Sequence, residues 1–367
     1  MTRIISFIKK ESVLFVSLIL AAASMFFVVP DAEYVSYIDF RTLCLLFCLM
    51  AVMAGFSKAG LFEFCANSLL CRAKNTRSVV LILTLLCFFF SAVITNDVAL
   101  ITFVPFAITV LKLAGKVSLI PITVILQTVA ANMGSCLTPI GNPQNIYIFN
   151  ISGLSFLDFV RLLLPYSVAA LAVLVGIVLG MKKEAVVSNV QAANTPNIKS
   201  TVIFALLFLA SLLAVFGVVH HLVCLVLVVL VLLIADRKLI LKIDYSLLLT
   251  FVGFFIFVGN MGRIPAINNM IVNLLRGREI VFSALISQVI SNVPAALLLS
   301  GFTDNMSALL VGVNIGGLGT LIASMASLIS YKYVAAALPD KKVRYLLIFS
   351  LLNFALLGIM LLLSLII

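Results

Sequence analysis

Apolar runs long enough to cross a bilayer as a helix, about 20 residues each, recur from one end of the chain to the other. Of the 367 residues, 64% are hydrophobic and 10% are charged, which leaves too few charges to cover the surface of a water-soluble domain of this size. The strands of a transmembrane barrel would instead alternate polar and apolar residues in short segments. The sequence therefore predicts an all-α polytopic membrane protein.

The apolar runs predict about nine full spans plus two re-entrant hairpins. Two further segments, 60–72 and 264–276, mix polar and apolar residues at helical spacing and are expected to lie along the membrane surface. A polar segment, 182–200, is predicted to be a cytoplasmic linker between a first half, 1–181, and a second half, 201–367. The apolar segments are 13–29, 40–55, 78–111, 117–149, 156–181, 201–219, 222–235, 245–259, 281–302, 307–333 and 345–367.

The net charge of +11 comes from lysines and arginines that gather in the loops between these segments. Cytoplasmic loops of membrane proteins carry an excess of these residues, so the charge indicates orientation and not a nucleic-acid partner. A cytoplasmic N-terminus puts most of the cations inside. The sequence thus predicts a multi-pass protein of the cell inner membrane with its N-terminus in the cytoplasm.

Residues 281–302 conflict with this charge rule unless the chain turns back inside the membrane. A single crossing would place Lys332, Lys341 and Lys342 outside, yet the segment is too short for two crossings at about 1.5 Å per residue. A re-entrant hairpin with its tip at residues 291–294 (SNVP) keeps these lysines inside. Irregular backbone at membrane depth is tolerated only where protein or a watery cavity covers it. The tip is therefore a candidate binding site.

The longer run 78–111 is interrupted midway by Thr95, Asn96 and Asp97. A carboxylate surrounded by so much hydrocarbon marks an ion or substrate pathway by default, although it could also serve only as a helix cap. Charge alone leaves open whether this run is a hairpin or two spans, because both return the chain to the same side.

The two interrupted regions are similar in sequence. Shifted by 196 positions, residues 94–99 (ITNDVA) lie over 290–295 (ISNVPA), and shifted by 182, residues 132–138 (NMGSCLT) lie over 314–320 (NIGGLGT). The first half enters its hairpin from the inside and the second half from the outside, which is the arrangement of inverted-repeat secondary transporters. By this symmetry, 78–111 is predicted to be a hairpin as well.

Each repeat also contains a run that is predicted to be a broken helix. Residues 117–149 carry Pro139, Gly141 and Pro143 near their middle, where they would stop or kink a helix, and 307–333 is the matching run. Broken half-helices point partly positive N-terminal amides at an anion, and their unwound carbonyls can coordinate Na⁺. Close packing of helices on small residues is the simpler explanation for the glycines of both breaks.

The motifs ITNDVALITFVPF, NMGSCLTPIGNPQN, SNVPA and NIGGLGTLIASMAS resemble those of a large ion transporter superfamily. Its members include divalent anion:sodium symporters, citrate transporters, arsenite permeases and NhaD-type sodium/proton antiporters. The likeness covers most of the chain, from about residue 40 to residue 367. It implies a scaffold domain, a moving transport domain and elevator-type alternating access, with a homodimer as the candidate assembly. It also implies that the two hairpin tips meet the two broken helices at the substrate.

The resemblance assigns two overlapping sets of residues by motif. The substrate site would be lined by Thr95, Asn96, Thr138, Asn142, Asn145, Ser291, Asn292 and Thr320. The coupling ion would be held near Asp97, Asn96, Gly134, Ser135, Asn292, Asn314, Gly316 and Gly319. No cofactor or metal is implied beyond Na⁺ or H⁺ as the coupling ion, and a small anion and the lipid bilayer are the expected partners.

The third position of each tip departs from the Ser-Asn-Thr pattern of the anion symporters, since it is Asp97 in one tip and Val293 in the other. Asp97 would repel a bound carboxylate unless a proton or cation neutralises it. Asn-Asp at this place is closer to the arsenite permeases and NhaD-type antiporters. Desolvation favours a protonated carboxyl, which suits a coupling group, so Asp97 is a predicted proton or Na⁺ ligand.

The leading hypothesis is a secondary active transporter that moves a small anion, such as a di- or tricarboxylate or an inorganic oxyanion, with Na⁺ or H⁺. Two alternatives stay open: efflux of arsenite or another neutral hydroxide, with Cys136 as a soft ligand, and Na⁺/H⁺ antiport on Asp97. The two-hairpin symmetry disfavours a channel. An enzyme or an ATP-driven pump is not indicated, because H-E-x-x-H, G-x-S-x-G and Walker-type motifs are absent.

Overall fold

The protein, represented by a computed structural model, is described over residues 11–70, 73–185 and 195–367. Over these residues it is helical apart from turns, loops and one isolated bridge between Asn75 and Ala185. The predicted all-α polytopic architecture is confirmed. The helices of the first half are α1 Ser12–Ser24, α2 Glu33–Tyr37, α3 Phe40–Lys58, α4 Leu61–Leu70, α5 Thr76–Ile94, α6 Asn96–Leu113, α7 Ile120–Ser135, α8 Pro143–Ser152 and α9 Phe156–Leu179.

The helices of the second half follow the predicted linker. They are α10 Ile198–Val215, α11 His221–Asp236, α12 Tyr245–Gly262, α13 Pro265–Leu275, α14 Glu279–Ile290, α15 Asn292–Ser300, α16 Met306–Ile315, α17 Met325–Ala337 and α18 Lys342–Leu363.

Eight helices among the described residues are long and apolar enough to cross a membrane: α3, α5, α6, α7 with its preceding turn, α9, α10, α12 and α18 with its preceding turn. This set differs from the predicted spans. It includes both arms of the first hairpin, α5 and α6, and leaves out α1, α11 and both pieces of the second broken helix. The predicted hairpins therefore differ in length, and their orientation relative to a membrane stays a prediction.

The predicted first span, 13–29, is shorter in the structure because α1 ends at Ser24. The Ser24 hydroxyl donates to the Ala21 carbonyl at 2.7 Å and accepts from the Asn260 side chain of α12 at 2.8 Å. These two bonds fix the end of the helix against its neighbour, and the chain continues as turns towards Pro30.

The predicted linker, 182–200, contains fewer unstructured residues than expected among those that are described. Its residues 186–194 lie outside the described part. Before them, the Thr76 amide donates to the Glu184 carbonyl at 2.9 Å and the Thr76 hydroxyl donates to the Lys182 carbonyl at 2.9 Å. After them, α10 already begins at Ile198, with Asn197 as its side-chain cap. The two ends of the linker thus belong to the packed structure.

The helix at the centre of the protein is α7, in which all residues from Thr123 to Ser135 are buried. It packs against α5, α6, α9 and α17. Gln127 shows how its polar side chains are accommodated, since its amide donates to the carbonyls of Leu83 on α5 and Phe103 on α6 at 3.4 and 3.2 Å. Helix α7 therefore joins both arms of the first hairpin to the second half.

Two helices outside this centre each pack against a helix of the other half. Helix α1 lies against α12, and helix α11 lies against α3. The helices α3 and α12 begin in the same way. Asp39 and Asp244 have the same backbone angles, φ −78° and ψ 85°, and each accepts a hydrogen bond from a backbone amide three residues on. The short helices α4 and α13 follow α3 and α12 and match the two segments that are predicted to lie along the membrane surface.

Candidate functional site

The two hairpin tips share a rare backbone conformation. Thr95 has φ 75° and ψ 147°, and Ser291 has φ 77° and ψ 154°. They are the only non-glycine residues with positive φ in the described ranges. A side chain in this region costs about 1–3 kcal/mol and persists only where the surroundings hold it, commonly at functional sites.

The residue after each strained position connects the tip to the opposing break. The Asn96 amide donates to the Gly141 carbonyl at 3.1 Å, and the Asn292 amide donates to the Ala323 carbonyl at 3.0 Å. Each of the two side-chain carbonyls, Asn96 Oδ1 and Asn292 Oδ1, accepts from the next backbone amide, at 2.8 and 3.0 Å. The first turns of α6 and α15 are therefore fixed in the same manner.

The breaks themselves lie where the sequence places them, at residues 136–142 between α7 and α8 and at residues 316–324 between α16 and α17. Their threonines bond back to the hairpin arms. The Thr138 hydroxyl donates to the Ala92 carbonyl, and the Thr320 hydroxyl donates to the Gln288 carbonyl at 2.8 Å. These pairs obey the two shifts seen in the sequence, 182 for the breaks and 196 for the hairpins.

The two break glycines, Gly134 in the last turn of α7 and Gly316 directly after α16, each lie in close contact with the entering hairpin arm. A Cβ atom on Gly134 would collide with the Phe88 carbonyl and the Ser91 hydroxyl, and one on Gly316 would collide with Ala284 and the Ser287 hydroxyl. The structure thus confirms the close-packing explanation for both glycines. Their predicted role near an ion stays a prediction.

Asparagines link the two halves at the centre of the site. Asn132 on α7 accepts at Oδ1 from Asn96 Nδ2 at 3.1 Å and from the Ser324 hydroxyl at 3.0 Å. Its Nδ2 donates to the Gly317 carbonyl at 3.2 Å. The equivalent Asn314 on α16 donates to Asn145 Oδ1 at 2.8 Å. A single hydrogen-bonded network therefore contains both breaks and the first tip.

The predicted substrate residues Asn142 and Asn145 are buried and already have protein partners. Asn142 Nδ2 donates to the Ser135 hydroxyl, and Asn145 Nδ2 donates to the carbonyls of Ser135 and Thr138 at 3.2 and 3.3 Å. In this conformation both amides hold the first break together.

Sequence reasoning missed three residues of the network: Asn132, Ser324 and Gln288. Asn132 is the first residue of the N-x-G-x-x-x-T pattern, and its equivalence to Asn314 was a usable signal. Ser324 lies four residues after the aligned segment 314–320, and nothing in the neighbouring sequence marks it as a site residue. Gln288 is equivalent to Ala92, so the alignment of the two halves shows no shared polar residue there and did not indicate a site residue.

Helix termini of opposite polarity meet at this network. Four helices begin there, α6, α8, α15 and α17, and four end there, α5, α7, α14 and α16. Helix N-termini carry partial positive charge and attract anions, whereas C-terminal ends with unwound carbonyls suit cations. The site can therefore hold an anion and a cation side by side.

Asp97 is the acidic side chain at the first tip, in the first turn of α6. Its Oδ1 is buried and has no hydrogen-bond partner among the described residues. Asp244, which caps α12, lies near enough to interact with it electrostatically. An acceptor oxygen in this position requires a proton, a cation or a donor from a ligand.

Cys136 is placed differently from the expectation of a soft ligand. Its side chain is 1% exposed, and its thiol donates to the Asn132 carbonyl one helical turn earlier at 3.0 Å. The sulfur is thus directed back along α7. Among the described residues, no group of three or more His, Cys, Asp or Glu side chains could hold a metal ion.

Two crevices lie where this network meets the flanking helices. One lies between the first break and α10 and is lined by Ala92, Thr138 and Pro139 on one side and Phe208 and Phe216 on the other.

The second crevice lies between the second tip and the pair α1 and α12. Its lining includes Val293 and Pro294 from the tip, and Leu14, Asp244 and Thr250 from the two helices. This second opening is small, about 30 Å³, because α12 packs directly against α15 beside it.

Comparison with known proteins decides the family. A family model described as citrate transporter matches residues 4–311. The chain belongs to the citrate transporter family. It is 31% identical to an uncharacterized transporter of Methanocaldococcus jannaschii, over 83% of this chain and 84% of that protein. It is 32% identical to an inner membrane protein of Escherichia coli, over 86% of each. A shorter match, 33% identical, joins 41% of this chain to 30% of a silicon efflux transporter of Oryza sativa.

These relationships make the protein a multi-pass membrane transporter and not an enzyme. The resemblance inferred from the four motifs is confirmed. The matched part, residues 4–311, includes both hairpin tips and the first break, whereas the second break at residues 316–324 lies beyond it.

Proposed function

We propose that the protein is a secondary active transporter that moves a small anion across the cytoplasmic membrane together with Na⁺ or H⁺. The observation that carries this proposal is the meeting of four helix N-termini and four C-termini at one buried hydrogen-bonded network. The N-termini favour negative charge and the C-termini favour positive charge. Such a pairing lets a cation compensate the charge of the anion during transport.

The chemistry of the network favours a small oxyanion or carboxylate as substrate. Among the predicted site residues the polar side chains are amides and hydroxyls, with Asp97 as the exception. Amide N–H groups bind carboxylate and oxyanion oxygens without adding a full positive charge. A di- or tricarboxylate or an inorganic oxyanion would fit this pattern, provided that a cation or proton neutralises Asp97.

We further propose that the network moves as part of a transport domain in elevator-type alternating access. The first crevice supports this, because it separates the first break from α10. Helices α1 and α12, which contact each other, and helices α11 and α3, which do the same, would then form the scaffold. A cytoplasmic N-terminus and a homodimer belong to the same proposal.

A thermal-shift screen of the purified protein tests the substrate class directly. Sulfate, phosphate, citrate, succinate and arsenite would each be added with and without Na⁺. A ligand that binds the native state at about 100 times its Kd stabilises it by about 2.7 kcal/mol. We expect an anion to raise the melting temperature more in Na⁺ or at lower pH than in choline at neutral pH. Stabilisation by none of these anions would contradict the proposal.

Efflux of a neutral hydroxide is the second candidate. Asp97 favours it, because a neutral ligand avoids the repulsion that a carboxylate would meet, and one relative is described as a silicon efflux transporter. In the same screen, stabilisation by arsenite alone, unchanged by Na⁺, would support this function. Na⁺/H⁺ antiport on Asp97 would instead appear as stabilisation by Na⁺ with none of the anions.

A further inference from the structure

Each hairpin forms a pair with the break of its own half, to which it is hydrogen-bonded. The two pairs differ at one position that lies against the end of the broken helix. In the second pair this residue is Gln288 on α14, and in the first pair the equivalent residue is Ala92 on α5. The backbone carbonyl of each accepts the hydroxyl of the equivalent threonine, Thr320 or Thr138. The two positions therefore match in the backbone and differ only in the side chain.

The Gln288 side chain binds the unwound end of α16. Its Nε2 donates to the Gly316 and Leu318 carbonyls, each at 2.9 Å, and to Ala284 on its own helix at 3.0 Å. Its Oε1 accepts from the Thr320 amide at 2.8 Å. Gly319, at φ 106°, passes so close to this amide that a Cβ atom would collide with it. The second break is thus shaped around the glutamine.

In the first pair no side chain of the described residues donates to the corresponding carbonyls, those of Gly134 and Cys136. The Ala92 methyl cannot form a hydrogen bond. Carbonyl oxygens at the C-terminal end of a broken helix carry partial negative charge, and in transporters of this kind they coordinate Na⁺. A glutamine NH₂ group directed at two such carbonyls satisfies the same oxygens with its own partial positive charge.

We propose that Gln288 takes, in the second half, the place that a Na⁺ ion takes in the first half, so that transport is coupled to one Na⁺ and not to one per half. This inference rests on the proposed cation-coupled transport and specifies its stoichiometry. It also makes the second tip and break a permanently joined unit, whereas the first pair is completed only when the ion binds.

The test needs no knowledge of the transported substrate. Purified full-length protein would be melted at a series of Na⁺ concentrations, with choline keeping the ionic strength constant. Unfolding can be followed with a thiol-reactive fluorophore, because Cys48, Cys87 and Cys136 are buried and free. For wild-type protein we expect the unfolding free energy to rise at high Na⁺ by about one RT per unit of ln[Na⁺]. This slope is a Na⁺ coefficient of about 1, which counts one bound ion.

Two substitutions should change this number in opposite directions. Gln288→Ala removes the amide and leaves two carbonyls available to a second ion, so the Na⁺ coefficient should rise towards about 2. Ala92→Gln supplies an amide in the first half and should abolish the response to Na⁺. If Gln288→Ala does not yield folded protein, Gln288→Glu replaces it, since a carboxylate facing the same carbonyls should likewise create a Na⁺ requirement.

Gln127→Ala is the matched control, because Gln127 is a buried glutamine that likewise donates to two or more backbone carbonyls but lies away from both breaks. It should lower the melting temperature while leaving the Na⁺ coefficient at the wild-type value. A wild-type coefficient near 2, or a folded position-288 variant with an unchanged response, would overturn the role of Gln288 and leave coupling intact. A wild-type protein that does not respond to Na⁺ would overturn Na⁺ coupling itself, and the inference with it.

Discussion

The first and second hairpin and break pairs have the same backbone contacts and different chemistry. Both tips carry a strained hydroxyl residue followed by asparagine, and both breaks pack a glycine against the entering arm. The arms differ in length, since α5 and α6 have 19 and 18 residues whereas α14 and α15 have 12 and 9. At about 1.5 Å per residue, either first-half arm could span the hydrocarbon core and neither second-half arm could.

The side chains differ at the tip and on the arm. Asp97 in the first tip corresponds to Val293 in the second, and Ala92 on the first arm corresponds to Gln288 on the second. The first pair thus has a charged group and no amide clamp, while the second has a clamp and no charge. This contrast shows that the two pairs share backbone geometry and differ in side-chain chemistry, and the proposed coupling to an ion is assigned to the first pair on that ground.

The largest effect is expected at the two break glycines. Gly134→Ala and Gly316→Ala each force a Cβ atom into the backbone or a serine hydroxyl of the adjoining arm, and overpacking of this kind costs about 1–3 kcal/mol or more. We expect both variants to lose most of their folded yield and all transport. Gly176→Ala is the control, because nothing lies within 4 Å of a Cβ atom there. If Gly316→Ala yields folded, active protein and Gly134→Ala does not, the two pairs are not equivalent.

Asp97→Asn should remove coupling while leaving the fold intact. Its Oδ1 has no partner among the described residues, so the amide breaks no hydrogen bond of that atom and removes the charge. In proteoliposomes we expect uptake to lose its dependence on Na⁺ or pH. Val293→Asn serves as the control at the equivalent position and should retain the dependence. Coupling that survives in Asp97→Asn would exclude Asp97 as the coupling residue.

The tip asparagines should rank unequally in stability. Asn96→Ala loses both the cap on the next amide and the buried bond to Asn132 at 3.1 Å, whereas Asn292→Ala loses the cap on Val293 and only a longer contact, 3.4 Å, from the Ser291 hydroxyl. With about 1 kcal/mol for each net hydrogen bond, Asn96→Ala should be the less stable of the two, and both should weaken binding of the same ligand in the thermal-shift screen. Asn305→Ala removes a helix cap outside the site and should leave ligand binding unchanged.

The last comparison is between the two break threonines, where the expected effect is on stability. Thr138→Val removes one hydrogen bond to the arm. Thr320→Val removes the equivalent bond and also the one that its hydroxyl accepts from the Ala323 amide at 3.1 Å. We expect losses of about 0.5–1.5 and about 1–3 kcal/mol respectively, measured as melting temperatures. Equal losses would mean that the second break is no more firmly held than the first.

Much of the architecture was predictable because it depends on local sequence. The apolar runs predicted helices, and the polar interruption at Asp97 predicted the first tip. The proline and glycine residues around Pro139 predicted the first break, since a proline lacks the amide that a continuous helix needs. The end of α1 at Ser24 was missed because a bond to Asn260, far away in the chain, helps to fix it.

The sequence by itself determined the class of protein, the two tips and breaks, and their pairing by the shifts of 196 and 182 residues, because each is encoded in neighbouring residues or in repetition. Only the tertiary structure decided which polar atoms meet. It connected Asn132 to the second break, directed the Cys136 thiol into its own helix and placed Gln288 against the end of α16. The bonds of Asn132 and Gln288 depend on segments that are distant in sequence approaching within hydrogen-bonding distance, which no local pattern records.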